Sequence, residues 1–255
     1  LGSYICTSKV LRYVRGVVSI VDDEVAVEVP THIYVNSKLI ATLNSTPMDL
    51  EALAIGYLIT EGILRDISEV SGISVSEDNY VYVKTPTDVE YRMKLMGSVK
   101  VGGTVCGGDG VKAARKVDSD AMFTADLILD AVKRLSLEAR IYRRTGGTHT
   151  ALILDDSSFT VQSEDVGRHN AVDKAIGLAF LKNYRSFERS MLACSGRISS
   201  EIVYKAASVG IPLIASPSAP TSLGLKLAEQ SGLTIVGFVR GYRFNIYTYP
   251  HRIAF

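Results

Sequence analysis

One cysteine stands apart from the rest of the chain. Cys106 lies within Gly102-Gly103-Thr104-Val105-Cys106-Gly107-Gly108-Asp109-Gly110, five glycines in nine residues. That density excludes a helix or strand interior, so the segment is a shaped loop. Glycines strip side-chain bulk from around the sulfur and let another molecule approach it. Lys100, Lys112 and Arg115 are near in sequence, and each favours the thiolate. The thiolate is the form that performs sulfur transfer, redox exchange and nucleophilic attack. The blander reading, a glycine linker with an incidental cysteine, is the weaker one with these neighbours. Cys194 ends an apolar run and reads as a small core hydrophobe. Cys6 falls in a terminal segment expected to be mobile. Three widely spaced cysteines make no disulfide framework, and the reducing cytoplasm is the expected compartment.

Five polar stretches offer a second kind of chemistry. They are Thr145-Gly146-Gly147-Thr148-His149-Thr150, Glu164-Asp165-Val166-Gly167-Arg168-His169-Asn170, Ser195-Gly196-Arg197, Ser216-Pro217-Ser218-Ala219-Pro220-Thr221-Ser222 and Arg240-Gly241-Tyr242-Arg243. Together they supply backbone N–H groups, hydroxyls and arginines, which suits a phosphate-bearing or nucleotide-like ligand. Each stretch alone is most simply a turn; their joint placement is what carries information. His149 and His169 belong to no tight metal-ligand cluster and read equally well as hydrogen-bonded histidines at a strand edge and a helix start. Glu164-Asp165 reads as a cap on the positive N-terminus of the following helix. Glu201 and Lys205, spaced i,i+4, read as a surface pair.

The elements that must position these residues form an α/β pattern. The first part is β-rich, with strands expected at 25–30, 32–35, 39–43, 70–75 and 80–83 and a turn at Asn36-Ser37. Asp49 sits where an N-cap would, Leu50, Leu53, Ala54, Tyr57 and Leu58 follow at helical spacing, and Gly62 is the stop. Beyond the glycine loop, helices are expected at 125–139 with Thr124 as cap, 170–182, 199–209 ended by Gly210, and 221–231. Strands are expected at 148–154, 159–162, 190–194, 211–215 and 233–239. Strands joined through helices imply parallel neighbours with helices on the faces, and the hairpin adds an antiparallel edge. Ligands of such sheets bind beyond the carboxyl ends of the strands, where the polar stretches fall. The expected division is a smaller β-rich domain at 1–98, a loop and connector at 99–123, and an α/β domain at 124–255.

Composition excludes several classes. The 255 residues hold 28 Lys plus Arg against 27 Asp plus Glu, a net charge of +1, so no general affinity for nucleic acid or anionic membrane is expected. Hydrophobic residues at 47% and charged residues at 22% are those of a folded globular protein. No apolar run approaches the ~18 residues of a membrane span, and no signal-peptide pattern is present.

Several motifs, taken together, resemble the FdhD family of sulfur carrier proteins. They are Glu164-Asp-Val-Gly-Arg-His-Asn-Ala-Val-Asp-Lys174, Thr145-Gly-Gly-Thr-His149, Ser195-Gly-Arg-Ile-Ser199, Ser218-Ala-Pro-Thr-Ser222, Gly237-Phe-Val-Arg-Gly241, Ile59-Thr-Glu-Gly-Ile63 and Lys205-Ala-Ala-Ser-Val-Gly-Ile-Pro212. The resemblance runs from about Thr31 to Tyr247. It implies a sulfurtransferase that takes persulfide sulfur from a cysteine desulfurase and passes it to a Mo-bis(molybdopterin guanine dinucleotide) cofactor needed by formate dehydrogenase. By the same resemblance Cys106 is the catalytic, persulfide-bearing cysteine, and Phe238, Val239, Arg240, Gly241, Tyr242 and Arg243 hold the guanine dinucleotide. It also implies a homodimer, no intrinsic zinc, and a cytidine-deaminase-like three-layer domain with a mixed, mostly parallel sheet. The family pattern is Cys-x-x-Cys, and here the second position is Asp109. That removes an intraloop disulfide and leaves a one-cysteine relay.

Zinc deamination is the rival such a fold raises. It needs a His or Cys with Glu two residues on, and Cys-x-x-Cys at the next helix start. Arg168-His169-Asn170-Ala171 lacks the glutamate, and Ser195-Gly196-Arg197 lacks the cysteines. Two other readings stay open: a cofactor-binding chaperone without covalent sulfur chemistry, and a nucleotide hydrolase using His169 or His149.

Overall fold

The computed structural model describes residues 4–95 and 114–255. Cys106, Lys100, Asp109 and Lys112 lie outside them. The chain opens with a β-ribbon that the sequence reading missed. β1 (Ile5–Val14) pairs antiparallel with β2 (Val17–Ala26), and Arg15 and Gly16 turn the corner with positive φ. Cys6 is therefore a strand residue, in register with Val25, rather than part of a mobile terminus. The ribbon carries apolar residues on both faces, so no period-two alternation marks it in the sequence.

β3 (Val29–Val35) and β4 (Lys38–Ser45) form a hairpin whose turn, Asn36-Ser37, has positive φ at both residues, the geometry tight hairpins prefer. α1 (Leu50–Thr60) follows, ending at Gly62 with φ +76, and then come β5 (Gly72–Val75), β6 (Tyr80–Lys84) and α2 (Val89–Leu95). The four strands order β4-β3-β6-β5, with β3 and β6 parallel. α1 is apolar nearly all round because it is enclosed on several sides, and Ala52, Leu53, Ala54, Ile55 and Leu58 are all buried.

The second sheet is built from β8 (His149–Asp155), β9 (Thr160–Asp165), β10 (Ser190–Cys194), β11 (Leu213–Ala215), β12 (Thr234–Arg240) and β13 (Arg243–Thr248). A short pairing of β7 (Phe123–Thr124) with β14 (Ile253–Ala254) ties in the C-terminal end of the chain. The helices are α3 (Ala125–Leu137), α4 (Arg140–Thr145), α5 (Arg168–Leu181), α6 (Ser200–Val209) and α7 (Ser222–Ser231). Thr124 caps α3 by accepting from Leu127 N–H. The strand order is β13-β12-β11-β10-β8-β9.

The sheet is mixed, but not mostly parallel. β10–β11 and β11–β12 are parallel, whereas β8–β9, β8–β10 and β12–β13 are antiparallel. The strands joined through helices (β9, β10, β11, β12) do run in one direction, as the connection rule demands. Parallel pairing is lost because β8 lies between β9 and β10 and β13 returns along the far edge. α3 packs on one face, over Leu152, Met191, Leu213 and Val236, and α5, α6 and α7 cover the other.

α1 lies on α5, and the apolar core runs continuously from the small sheet through this pair to the large one. The helices cross backbone to backbone. A Cβ at Gly56 would sit 1.8 Å from the Asp173 carbonyl oxygen, and one at Gly177 would sit 1.9 Å from that of Ala52. Two buried ion pairs flank the crossing. Lys174 Nζ is 2.6 Å from Asp165 Oδ2 and donates to Thr46 O at 2.9 Å. Lys205 Nζ is 2.8 Å from Asp173 Oδ2, while Thr60 Oγ1 donates to Asp173 Oδ1 at 2.7 Å. Lys205 is thus not a surface partner of Glu201. Burial pulls its amine down, but Asp173 and Glu61 outweigh that and hold it above its ordinary value.

Candidate functional site

The topology delivers the polar stretches to one rim. β9, β10, β11 and β12 all end there, and the antiparallel β8 and β13 both begin there. Their neighbours at this rim are His149, Arg168, His169, Ser195, Ser216, Pro217, Arg240 and Arg243.

Hydrogen bonds wire the loops together. Ser216 Oγ donates to Gly196 O at 2.8 Å, Val239 N to Ser216 O at 3.0 Å, and Phe238 N to Ser218 O at 3.0 Å. Arg240 Nε donates to Pro217 O at 3.1 Å, and its guanidinium lies 5.7 Å from the Phe238 ring centroid. Phe238 and Gly241 both have positive φ, marking a bulge and a tight turn between β12 and β13. Tyr242, at the turn, is 100% exposed.

Beside these loops is a cavity of about 330 Å³ whose lining includes Tyr142, Gly147, Thr148, His149, Ser195 and Pro217. His149 Nδ1 lies 3.1 Å from Ser195 Oγ, and Ser195 Oγ accepts from Thr150 N at 3.0 Å. The serine's own proton is then free for His149 Nδ1, and in that tautomer the ring's other nitrogen carries a donor N–H. Burial, and then the charges of Arg168 and His169, hold the His149 imidazole below its ordinary value. The ring is therefore neutral at pH 7. Acid costs stability here: the unfolded chain binds this proton first, so the contribution is full above pH ~6.5 and is lost as pH falls through and below that value. An NMR titration should place the His149 midpoint below 6.5, and His149→Gln should flatten the acid limb of stability against pH.

Arg168 packs its stem against Gly196, where an added Cβ would come within 3.1 Å of Arg168 Cβ. Its Nε is buried with no hydrogen-bond partner among the described residues, and the same holds for Ser199 Oγ. His169 Nε2 lies 2.8 Å from Glu201 Oε2, and that contact lowers the Glu201 carboxyl. Glu164 is a cap, but of α4 rather than α5. It accepts from the N–H groups of Arg140, Ile141 and Tyr142 and from Thr148 Oγ1. Asp165 takes the turn before α5, accepting from Gly167 N at 2.8 Å while pairing with Lys174.

The rim gathers most of the residues the sequence singled out. Arg197 is at the rim but exposed, and it is not among the residues that line the cavity. Gly147 lines the cavity from the 145–150 stretch already singled out, whereas the contribution of Tyr142, through the short α4, was not foreseen; its one sequence signal is Gly146, which ends the helix with positive φ. Cys194 is buried, and burial pushes its thiol up to about 12, so it is no nucleophile. Among the described residues no three His, Cys, Asp or Glu side chains are grouped to hold a metal ion, and no helix is long and apolar enough to cross a membrane.

The profile of the FdhD/NarQ family matches residues 26–254. The chain belongs to that family. A sulfur carrier protein FdhD of Bacillus subtilis is 34% identical over 258 residues, covering 96% of this chain and 95% of its own. The sulfur carrier protein FdhD of Sulfolobus acidocaldarius is 40% identical over 235 residues, covering 91% and 92% respectively. A solved structure from Desulfotalea psychrophila, proposed to be a formate dehydrogenase accessory protein, superposes with a TM-score of 0.83 at 28% identity, over 99% of this chain and 100% of that one.

Proposed function

We propose that this chain is a cytoplasmic sulfurtransferase serving formate dehydrogenase. Cys106 receives sulfur from a cysteine desulfurase: its thiolate attacks the terminal sulfur of the donor's persulfide, a new S–S bond forms, and the donor thiolate leaves. The acceptor is the molybdenum cofactor's bis-molybdopterin guanine dinucleotide form, handled as cargo. Attack on the terminal sulfur returns Cys106 as thiolate; delivery as sulfide takes two further electrons from an external thiol reductant. Two copies of the chain assemble. The α/β layers are read as cytidine-deaminase-like, with nucleotide binding kept and deamination absent.

The observation that carries this reading is the joining of the 238–243 turn to the His149 cavity through the Arg240–Pro217 hydrogen bond. A cavity of about 330 Å³ has room for a nucleobase. His149 offers it a neutral donor, and Arg168, Arg240 and Arg243 offer cations for phosphates. The relatives named sulfur carriers supply the sulfur half of the reading. Guanosine diphosphate is the probe. Arg240→Ala and Arg243→Ala should each weaken its binding about ten-fold or more, the worth of one charge-assisted hydrogen bond. Unchanged binding in both variants would remove the turn from the site.

A second reading, a cofactor chaperone without sulfur chemistry, is favoured by one feature: Asp109 stands where the family has its second cysteine. In that case Cys106→Ala still activates formate dehydrogenase, and the arginine variants do not.

A further inference from the structure

α5 starts without a side-chain cap. The residue before it is Gly167, which has no side chain to offer the free N–H groups of the first turn. Its φ of −98° is one that any residue adopts, so glycine is needed there for room rather than for conformation. A Cβ at Gly167 would come 3.0 Å from Asn170 Nδ2 and 3.4 Å from Asp165 Oδ1. That amide is held from the small sheet: Asn170 Nδ2 donates to Asn44 O at 2.7 Å as well as to Asp165 Oδ1 at 3.0 Å. Thr46, fully buried just beyond β4, ties the same turn twice more. Its N–H donates to Asp165 Oδ2 at 3.1 Å, and its Oγ1 accepts from Val166 N at 3.2 Å. The end of β4, from the first half of the chain, thus straps the turn from which Arg168 leaves.

Arg168 itself is held mainly by that turn. Its Nε has no hydrogen-bond partner among the described residues, and its stem rests on Gly196, where an added Cβ would come 3.2 Å from Arg168 Cδ. Its charge still acts on its neighbours. After burial it is what holds His149 down, and it adds to the lowering of Glu201 that His169 begins. We infer that Thr46 and Asn170 are positioning residues for Arg168: they fix the turn so that the guanidinium waits at the rim for an anionic group of the ligand. The small sheet is thereby part of the binding site, although none of its residues lines the cavity. An arginine carries many rotamers, and holding it ready removes an ordering cost that binding otherwise carries. The inference rests on the phosphate-bearing ligand proposed above for this rim and names what readies the rim for it.

The test follows Arg168 in two ways: guanosine diphosphate binding by calorimetry, and the His149 midpoint by NMR titration without ligand. Thr46→Val keeps the shape and the backbone contacts and removes the hydroxyl. Asn170→Ala loosens the same turn from the side of α5. Each should weaken guanosine diphosphate binding about five-fold, the scale of ordering one long side chain. Each should also raise the His149 midpoint, because the cation has moved off. Thr46→Ser should behave as the wild type. In an Arg168→Leu background both changes should leave binding and midpoint where Arg168→Leu alone puts them. A strap with a purely structural role would act equally in both backgrounds. A folded Thr46→Val or Asn170→Ala protein with the wild-type midpoint, or losses of the same size with and without Arg168, overturns the inference. A wild type that does not bind guanosine diphosphate removes the ligand reading instead, and the midpoints still decide the positioning.

Discussion

Gly56→Ala should cost the protein about 3–5 kcal/mol and lower its melting temperature by about 10 °C or more. Helix propensity alone argues the other way, since alanine in a helix interior is worth about 1 kcal/mol over glycine. Sterics win here. The new Cβ would sit 1.8 Å from a backbone oxygen on α5, and no rotamer change relieves a clash between two backbones. α1 must then lift from α5, taking Leu53, Ile55 and Leu58 out of close packing with the rest of the core. Gly177→Ala meets the same obstacle from the other helix, so the double variant should cost less than the two single costs combined. Thermal and urea unfolding check this. A Gly56→Ala protein melting within about 2 °C of wild type would mean that the crossing is looser than described.

Lys174→Met should destabilise by about 3 kcal/mol, at the low end of the range for breaking a buried ion pair. Methionine keeps the apolar stem but leaves the Asp165 carboxylate without its cation. That carboxylate still accepts from Thr46 N at 3.1 Å, Gly167 N at 2.8 Å and Asn170 Nδ2 at 3.0 Å, which is why the loss is not larger. The companion change Asp165→Asn should recover part of it, because the pair then has no uncompensated charge. Recovery measured in urea would assign the cost to desolvated charge. A double variant no better than Lys174→Met would assign it to packing and to the lost Thr46 contact.

The sequence made the second half of the fold legible and the first half less so. Ser190 to Cys194 is a strand as expected, and Gly210, Gly62 and Thr124 each mark the helix end or start they were read to mark. These signals are local: an apolar run of strand length, a glycine in the left-handed region, a hydroxyl cap. The order of strands in the sheet is not local. Nothing in the composition of β8 says that it inserts between β9 and β10, so parallel pairing was overcounted. β13 was missed although Arg243 to Thr248 alternates polar and apolar residues, because Arg243 was read as part of the polar turn that precedes it. α4 was missed because it is six residues long and is capped from a distance by Glu164. Glu164-Asp165 illustrates the limit: the residue types announced a cap, but only the fold could say which helix each carboxylate serves. Lys205 illustrates it again, since its i,i+4 spacing to Glu201 suggested the surface while Asp173 holds it inside.

The most direct test of sulfur transfer by this chain is intact mass after incubation with a cysteine desulfurase and cysteine. The account predicts a gain of one sulfur, about 32 Da, removed by reductant and absent in Cys106→Ala. Cys194 cannot supply the signal, because burial keeps its thiol protonated. Cys6 is exposed, so Cys6→Ala is the necessary companion and should load as the wild type does. Sulfur that persists in Cys106→Ala and vanishes in Cys6→Ala, or no sulfur on any cysteine with an active donor, would contradict the central claim.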